Sequence, residues 1–168
     1  LRFTLEGARS IKEFLSAYAS TVTQVALKNI LQGSAEDEET FATLAQAFQT
    51  SKVETLNLSE NTIGAYMWQH WANQKELRQL LLDQVDMDDE SMSELVSQMT
   101  LADTLEDIYL VLVKPVSEMT VLLVSDVLAN CKNVTSLRWA NGRVTTQSKL
   151  PWFGLRQMVS SPATASLQ

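Results

Sequence analysis

The sequence predicts an α/β repeat fold, a right-handed horseshoe arc with a parallel sheet on its concave face and helices on its convex face. An apolar frame of the form LxxLxL recurs along the chain about every 28 residues, and apolar stripes at helical spacing lie between the frames. The 168 residues are 45% hydrophobic and 20% charged, as is usual for a folded domain. Right-handedness follows from the general rule for strand–helix–strand connections in parallel sheets.

The composition excludes several classes of function. The net charge is −7 and the pI is near 4.7, so the chain lacks the excess of Lys and Arg that binding to nucleic acid requires. With a single cysteine, Cys131, and a single histidine, His70, we predict no disulfide framework, no metal, no cofactor and no catalytic residue. No run of 18 apolar residues is present, so we expect no membrane span. The low cysteine content predicts a cytoplasmic location.

The strands are predicted from the apolar frame. The clearest unit runs from Val53 to Gly64 and reads LxxLxLxxNxIG. Frames begin at positions 22, 53, 77, 105 and 134, with spacings of 31, 24, 28 and 29. We expect strands near 24–28, 55–58, 79–82, 107–110 and 136–139, with part of a sixth at residues 1–3. The frame residues should point into the core and the residues between them to the opposite face.

The helices are predicted from stripes of apolar residues between the frames, each expected to face the strands. The stripes are Ile11, Phe14, Leu15 and Tyr18; Phe41, Leu44, Ala45 and Phe48; Met67, Trp68 and Trp71; Met92, Leu95, Val96 and Met99; and Met119, Leu123, Val127 and Leu128. Acidic runs at 36–39 and 88–90 precede the second and fourth stripes, where a helix dipole favours negative charge.

The domain organisation predicted is a repeat region at 1–144 followed by a cap and loose tail at 145–168. Pro151 can begin a short helix, and Trp152 and Phe153 would then cover the open end of the last repeat. The final residues are small and polar, as in a loose tail. Because the first residues match the middle of a frame, we expect a C-terminal fragment of a longer protein with further domains upstream.

These repeats resemble the leucine-rich repeat family, and their spacing resembles its ribonuclease-inhibitor-like class, in which each repeat is a strand plus a full helix. The resemblance covers about residues 1–144; one unit matches fully and four keep only the apolar frame. In this family an Asn side chain binds backbone groups at the turn that leaves the strand. Here only Asn61 occupies that position, and we expect reshaped turns where Ile30, Val85, Val113 and Gly142 replace it.

A candidate interaction surface lies on the predicted concave face. Stacked repeats align the residues between the leucines in columns, and Leu81, Tyr109 and Val111 should form an apolar patch with a charged rim. Such a patch is typical of interaction hot spots, although parallel strands also favour these residues for packing alone. The candidate partner-binding residues are Asn57, Gln79, Leu81, Asp83, Asp107, Tyr109, Val111 and Arg138.

The resemblance implies a non-catalytic module that binds a protein partner through the concave face, as in intracellular immune receptors and bacterial effectors that sense or scaffold proteins. The alternative is a GTPase-activating protein of the Ran type that acts on a small GTPase. Arg78, Arg138 and Arg143 are available for that role, but no motif places any of them. Fold-level analogy does not decide between the two.

Overall fold

Five strands alternate with five helices along the described part of the chain. The computed structural model describes residues 3–32, 38–71, 76–99, 104–131 and 133–141. The elements in order are α1 (Leu5–Ala17), β1 (Gln24–Ala26), α2 (Glu38–Gln49), β2 (Thr55–Asn57), α3 (Ala65–Gln69), β3 (Gln79–Val85), α4 (Asp89–Met99), β4 (Asp107–Leu112), α5 (Glu118–Asn130) and β5 (Ser136–Asn141). One helix lies between each strand and the next.

All five strands pair in parallel and in sequence order, which confirms the predicted sheet. The register places equivalent frame positions side by side. One row across the sheet is Gln24, Thr55, Gln79, Asp107 and Ser136, and the next row on the same side of the sheet is Ala26, Asn57, Leu81, Tyr109 and Arg138. The first two strands stop before their predicted ends, while β3, β4 and β5 continue beyond them.

The frame residues and the helices form one core. Buried strand residues are Leu56, Leu80, Leu82, Ile108, Leu110 and Trp139, and Leu58 is buried just after β2. The stripes predicted for α2 and α4 are buried as expected. Trp71 lies beyond the end of α3 but is buried, and its ring contacts that of Trp68 at 5.5 Å. Leu137 lies in β5, and its side chain is outside the described residues.

The stripe predicted for α1 is wrong in part. Phe14 and Tyr18 are 53% and 52% exposed, with their ring centroids 4.9 Å apart, whereas Ala8 and Leu15 are buried. The physical reason is that, among the described helices, α1 packs extensively only against α2. No other described helix packs to a similar extent against the side of α1 that carries these aromatic side chains.

The stripe predicted for α5 is also wrong in part. Met119 is 75% exposed and Leu123 is 42% exposed, while Val121 and Val124 are buried. Four consecutive residues, 121 to 124, are apolar, so apolar side chains surround this helix. The spacing of its apolar residues therefore does not specify which side faces the core.

Asn61 closes the turn after β2, as the resemblance implied. Its Oδ1 accepts hydrogen bonds from the backbone N–H groups of Ile30 and Leu31, each at 2.8 Å. Its Nδ2 donates to the carbonyl oxygens of Leu27 at 2.6 Å and Leu58 at 2.7 Å. One side chain thereby joins the turns of two successive repeats.

The turn is reshaped where Val85 replaces that asparagine. Strand β3 continues to Val85, and its register with β4 shifts between Leu82 and Val85. Gln84 has a φ of 56° and Glu60, at the equivalent position before Asn61, has a φ of 63°, so both turns keep a left-handed residue there. The difference at Val85 is therefore a longer strand with an irregularity in its pairing.

Some sequence predictions fall outside the described residues. These are the cap and tail at 145–168, the replacement at Gly142, and residues 1 and 2 of the expected sixth strand. Among the described helices, none combines the length and the apolar character needed to cross a membrane.

Candidate functional site

The candidate site lies on the side of the sheet that faces away from the core. In β4 the side chains of Asp107, Tyr109 and Val111 are half-buried, and they alternate with three buried ones. The helices contribute their buried side chains to the core on the other side. We call this surface the open face; it comprises the half-exposed Thr55, Asn57, Gln79, Leu81, Asp83, Asp107, Tyr109 and Val111 and the exposed Arg138.

The centre of the open face is a row of three neighbouring residues. Leu81 lies beside Tyr109, and Tyr109 lies beside Arg138 in the parallel register. The guanidinium carbon of Arg138 is 4.8 Å from the centroid of the Tyr109 ring, which is a cation–π contact. Val111, on the same side of β4 as Tyr109, lies beside Ala140. The apolar patch predicted from the sequence is therefore assembled.

The polar candidates lie around this row. Gln79 lies beside Asp107, and its side-chain oxygen accepts a hydrogen bond from the Thr55 hydroxyl at 3.4 Å. The Asp83 backbone N–H donates to the Ser59 hydroxyl at 3.0 Å. Asn57 accepts from the Ser59 backbone N–H, also at 3.0 Å. All eight residues predicted from the sequence thus share one surface.

Cationic side chains near the strand ends are paired with carboxylates. Lys28 Nζ is 2.8 Å from Glu60 Oε1, and the hydrogen bond and charge of Glu60 raise the pKa of Lys28. Arg78 forms an ion pair with Glu106, so the structure holds this arginine at the margin of the sheet. Arg143, another arginine considered for a GTPase-directed role, lies outside the described residues.

Neither His70 nor Cys131, the single histidine and the single cysteine, lies in an arrangement typical of a catalytic site. The described residues contain no group of three or more His, Cys, Asp or Glu side chains that could hold a metal ion. His70 Nε2 is 3.8 Å from Glu38 Oε1 at the surface. Burial raises the pKa of the Cys131 thiol, which opposes a nucleophilic role. The absence of catalysis and of a cofactor stays a prediction.

Sequence reasoning missed one feature of the open face, the stacking of Arg138 on Tyr109. The alignment of the frames places Arg138 beside Tyr109, but it does not predict that the guanidinium stacks on the ring. Tyr109 and Arg138 are 29 residues apart, the same spacing as their frames, and equal spacing makes them register neighbours. An arginine that follows an aromatic residue by one repeat length therefore indicates a cation–π pair.

No family model and no curated protein sequence matches this chain. Among the solved structures that share its fold are two domains that match nearly the whole chain. Leiomodin-1 actin-binding site 2 has a TM-score of 0.68, with 12% identity over 90% of this chain and 87% of that one. The C-terminal domain of Caenorhabditis elegans tropomodulin has a TM-score of 0.65, with 13% identity over 95% of this chain and 92% of that one.

These similarities correct the assignment to the ribonuclease-inhibitor-like class, which is wrong. A leiomodin domain and a tropomodulin domain share the fold over nearly the whole chain. The physical reason is that an apolar frame specifies which side chains are buried, and different repeat families bury the same pattern. An average spacing of 28 residues, with individual spacings from 24 to 31, does not distinguish these repeat families.

Proposed function

We propose that this chain is a non-catalytic protein-binding domain that receives its partner on the open face. The observation that supports this proposal is the row across three strands formed by the half-exposed Leu81 and Tyr109 and the exposed Arg138. Tyrosine and arginine are enriched among the residues that dominate binding energy, and a tyrosine loses little conformational entropy when it becomes buried. The row is central, with Val111 and the carboxylates of Asp83 and Asp107 around it.

Actin is the first partner that we propose. One structure with the same fold is named as an actin-binding site, and it matches most of both chains rather than a single repeat. Neither similar structure is named as a GTPase-activating protein, an immune receptor or an effector. These three settings are therefore not part of the proposal. A cytoplasmic location is part of it, since a reducing compartment keeps Cys131 a free thiol.

The open face is also proposed to be the concave face of an arc. Neighbouring strands lie about 4.8 Å apart, whereas packed helices lie about 8–10 Å apart. Five strand–helix units stacked in sequence order must therefore curve toward the sheet. A concave face would surround the central row and bring more of the open face into contact with a rounded partner. The repeat region at 1–144, the cap at 145–168 and upstream domains stay predictions.

The test is the affinity for actin of the whole chain and of two tyrosine variants. Co-sedimentation with filaments and fluorescence titration of monomeric actin measure the two forms of the partner separately. Tyr109→Ala should weaken binding about thirtyfold, since loss of an anchor costs about 2 kcal/mol. Tyr18→Ala removes the same side chain from α1, where it is 52% exposed, and should leave the affinity within about twofold.

Two results would contradict the proposal in different ways. If the chain binds neither form of actin, the partner is wrong. If it binds actin and both tyrosine variants bind equally well, the open face is wrong as the binding surface. Circular dichroism of both variants must match the unaltered chain, because the Tyr109 side chain is half-exposed and contributes little to the core.

A further inference from the structure

We infer that Tyr109 and Arg138 form a recognition site for a carboxylate of the partner, and that this carboxylate belongs to an Asp or Glu flanked by apolar residues. The inference rests on the proposed function of the open face and specifies the chemistry that this face selects. Three observations on the described residues lead to it: the orientation of Arg138, its lack of an ion pair, and the apolar surface beside it.

The first observation is that the guanidinium is already oriented. It lies over the Tyr109 ring, with 4.8 Å between its carbon and the ring centroid. A guanidinium directs its N–H donors within its own plane, so stacking one of its faces leaves the edges available. Arg138 is exposed, and a carboxylate can therefore accept two parallel hydrogen bonds without first displacing a partner. Because the ring orients the side chain, less rotational freedom is lost on binding.

The second observation concerns charge. The ion pairs of the described residues use Arg9, Lys28, Arg78 and Lys114 as permanent cations, and each of these has a carboxylate within 3.3 Å. Arg138 is absent from these pairs, although the net charge of the chain is −7. Because no described carboxylate forms an ion pair with Arg138, its charge stays available to an external carboxylate. That is the arrangement expected of a binding residue rather than a structural one.

The third observation is the surface beside the guanidinium. Leu81 lies on the other side of Tyr109, and Val111 and Ala140 lie beside each other one step further along the strands. An apolar residue next to the bound carboxylate would cover this surface and exclude water, which strengthens the charged hydrogen bonds. Asp83 and Asp107 at the margins repel a wholly acidic surface. The site therefore favours one carboxylate with apolar neighbours over a polyacidic segment.

The test is an NMR titration of the whole chain with two peptides, acetyl-Leu-Asp-Leu amide and acetyl-Leu-Asn-Leu amide. The Arg138 Nε–H resonance and the Tyr109 ring resonances report the contact. We expect saturable shifts with the Asp peptide and binding at least about tenfold weaker with the Asn peptide. Arg138→Gln should abolish the difference between the two peptides. Arg9→Gln, which removes an exposed arginine from α1, should leave it unchanged.

Two further substitutions separate orientation from charge. Arg138→Lys keeps the charge but loses the planar donors, and should weaken binding of the Asp peptide about tenfold. Tyr109→Phe keeps the ring and should bind as the unaltered chain does, whereas Tyr109→Leu loses the aromatic face and should bind more weakly. Equal binding of the Asp and Asn peptides, or no shift at Arg138 with either, would overturn the inference.

The same variants with actin separate this inference from the proposed function. If the Asp peptide binds at Arg138 but actin does not bind, the carboxylate site stands and actin is the wrong partner. If actin binds through Tyr109 while the peptides do not distinguish Asp from Asn, the proposed function stands and the carboxylate site is refuted.

Discussion

Replacing Asn61 with alanine removes four hydrogen bonds from the interior at once. The side chain is 2% exposed and bonds to two backbone N–H groups and two carbonyl oxygens. Three of those groups belong to the turn after β1, at Leu27, Ile30 and Leu31. The fourth belongs to Leu58, after β2. Asn61→Ala should therefore loosen the contact between two repeats rather than one local turn.

The size of the effect follows from the groups left without a partner. Each buried polar group that loses its hydrogen bond costs about 1–3 kcal/mol. Leu31 and Leu58 are buried, while Leu27 and Ile30 are half-buried and can regain water. The full cost at the two buried groups and a small cost at the two half-buried groups together lower the free energy of unfolding by about 3–5 kcal/mol. A domain of this size has about 5–15 kcal/mol in total, so the variant should fold but be markedly less stable.

Urea denaturation followed by circular dichroism measures that loss, and amide hydrogen exchange locates it. The amides of Ile30 and Leu31 should lose protection, because Asn61 is their acceptor. Asn57→Ala is the matched control, since the half-exposed Asn57 side chain accepts a hydrogen bond from the Ser59 backbone N–H; it should cost less than about 1 kcal/mol. An equal loss for the two variants, or unchanged protection at Ile30 and Leu31, would refute the reasoning.

Two further predictions concern the core and the acidic helix start. Leu82→Ala and Leu110→Ala should each lower the free energy of unfolding by about 2–5 kcal/mol in urea titrations, because both side chains are buried; a smaller loss, equal to that of the exposed Leu123→Ala, would contradict their role. Asp89 accepts hydrogen bonds from the Thr120 hydroxyl and the Ser117 backbone N–H, which lower its pKa below 3.8. Its stabilisation is therefore present above about pH 4 and lost as pH falls through the lower folded pKa. The midpoint of Asp89→Asn should depend less steeply on pH below 4, and an unchanged slope would show that Asp89 is not responsible.

The sheet and its outward-facing residues were predictable because they follow from local alternation. Side chains alternate between the two sides of a strand. Because Leu80 and Leu82 are buried on one side, Leu81 between them must lie on the other side. Stacking by equal frame positions then places Leu81 beside Tyr109. The role of Asn61 was an expectation from the resemblance to leucine-rich repeats, in which an asparagine at this position binds backbone groups of the turn.

The burial of the outer helices was not predictable in the same way. Phe14 and Phe41 both occur in stripes with helical spacing, yet Phe14 is 53% exposed and Phe41 is 2% exposed. The difference arises because α2 packs between α1 and α3, whereas α1 packs extensively only against α2 among the described helices. The sequence of a stripe does not indicate how many other helices will pack against its helix.

The sequence by itself determined the order of strands and helices, the parallel register and the residues that form the open face, because periodicity and repeat length act through the local backbone. Only the tertiary structure decided which side of α1 and α5 is buried, where β3 becomes irregular, and that Arg138 stacks on Tyr109 while other arginines pair with carboxylates. Those outcomes depend on contacts between segments distant in sequence. Burial and ion pairing arise from the sum of such contacts, which no single segment encodes.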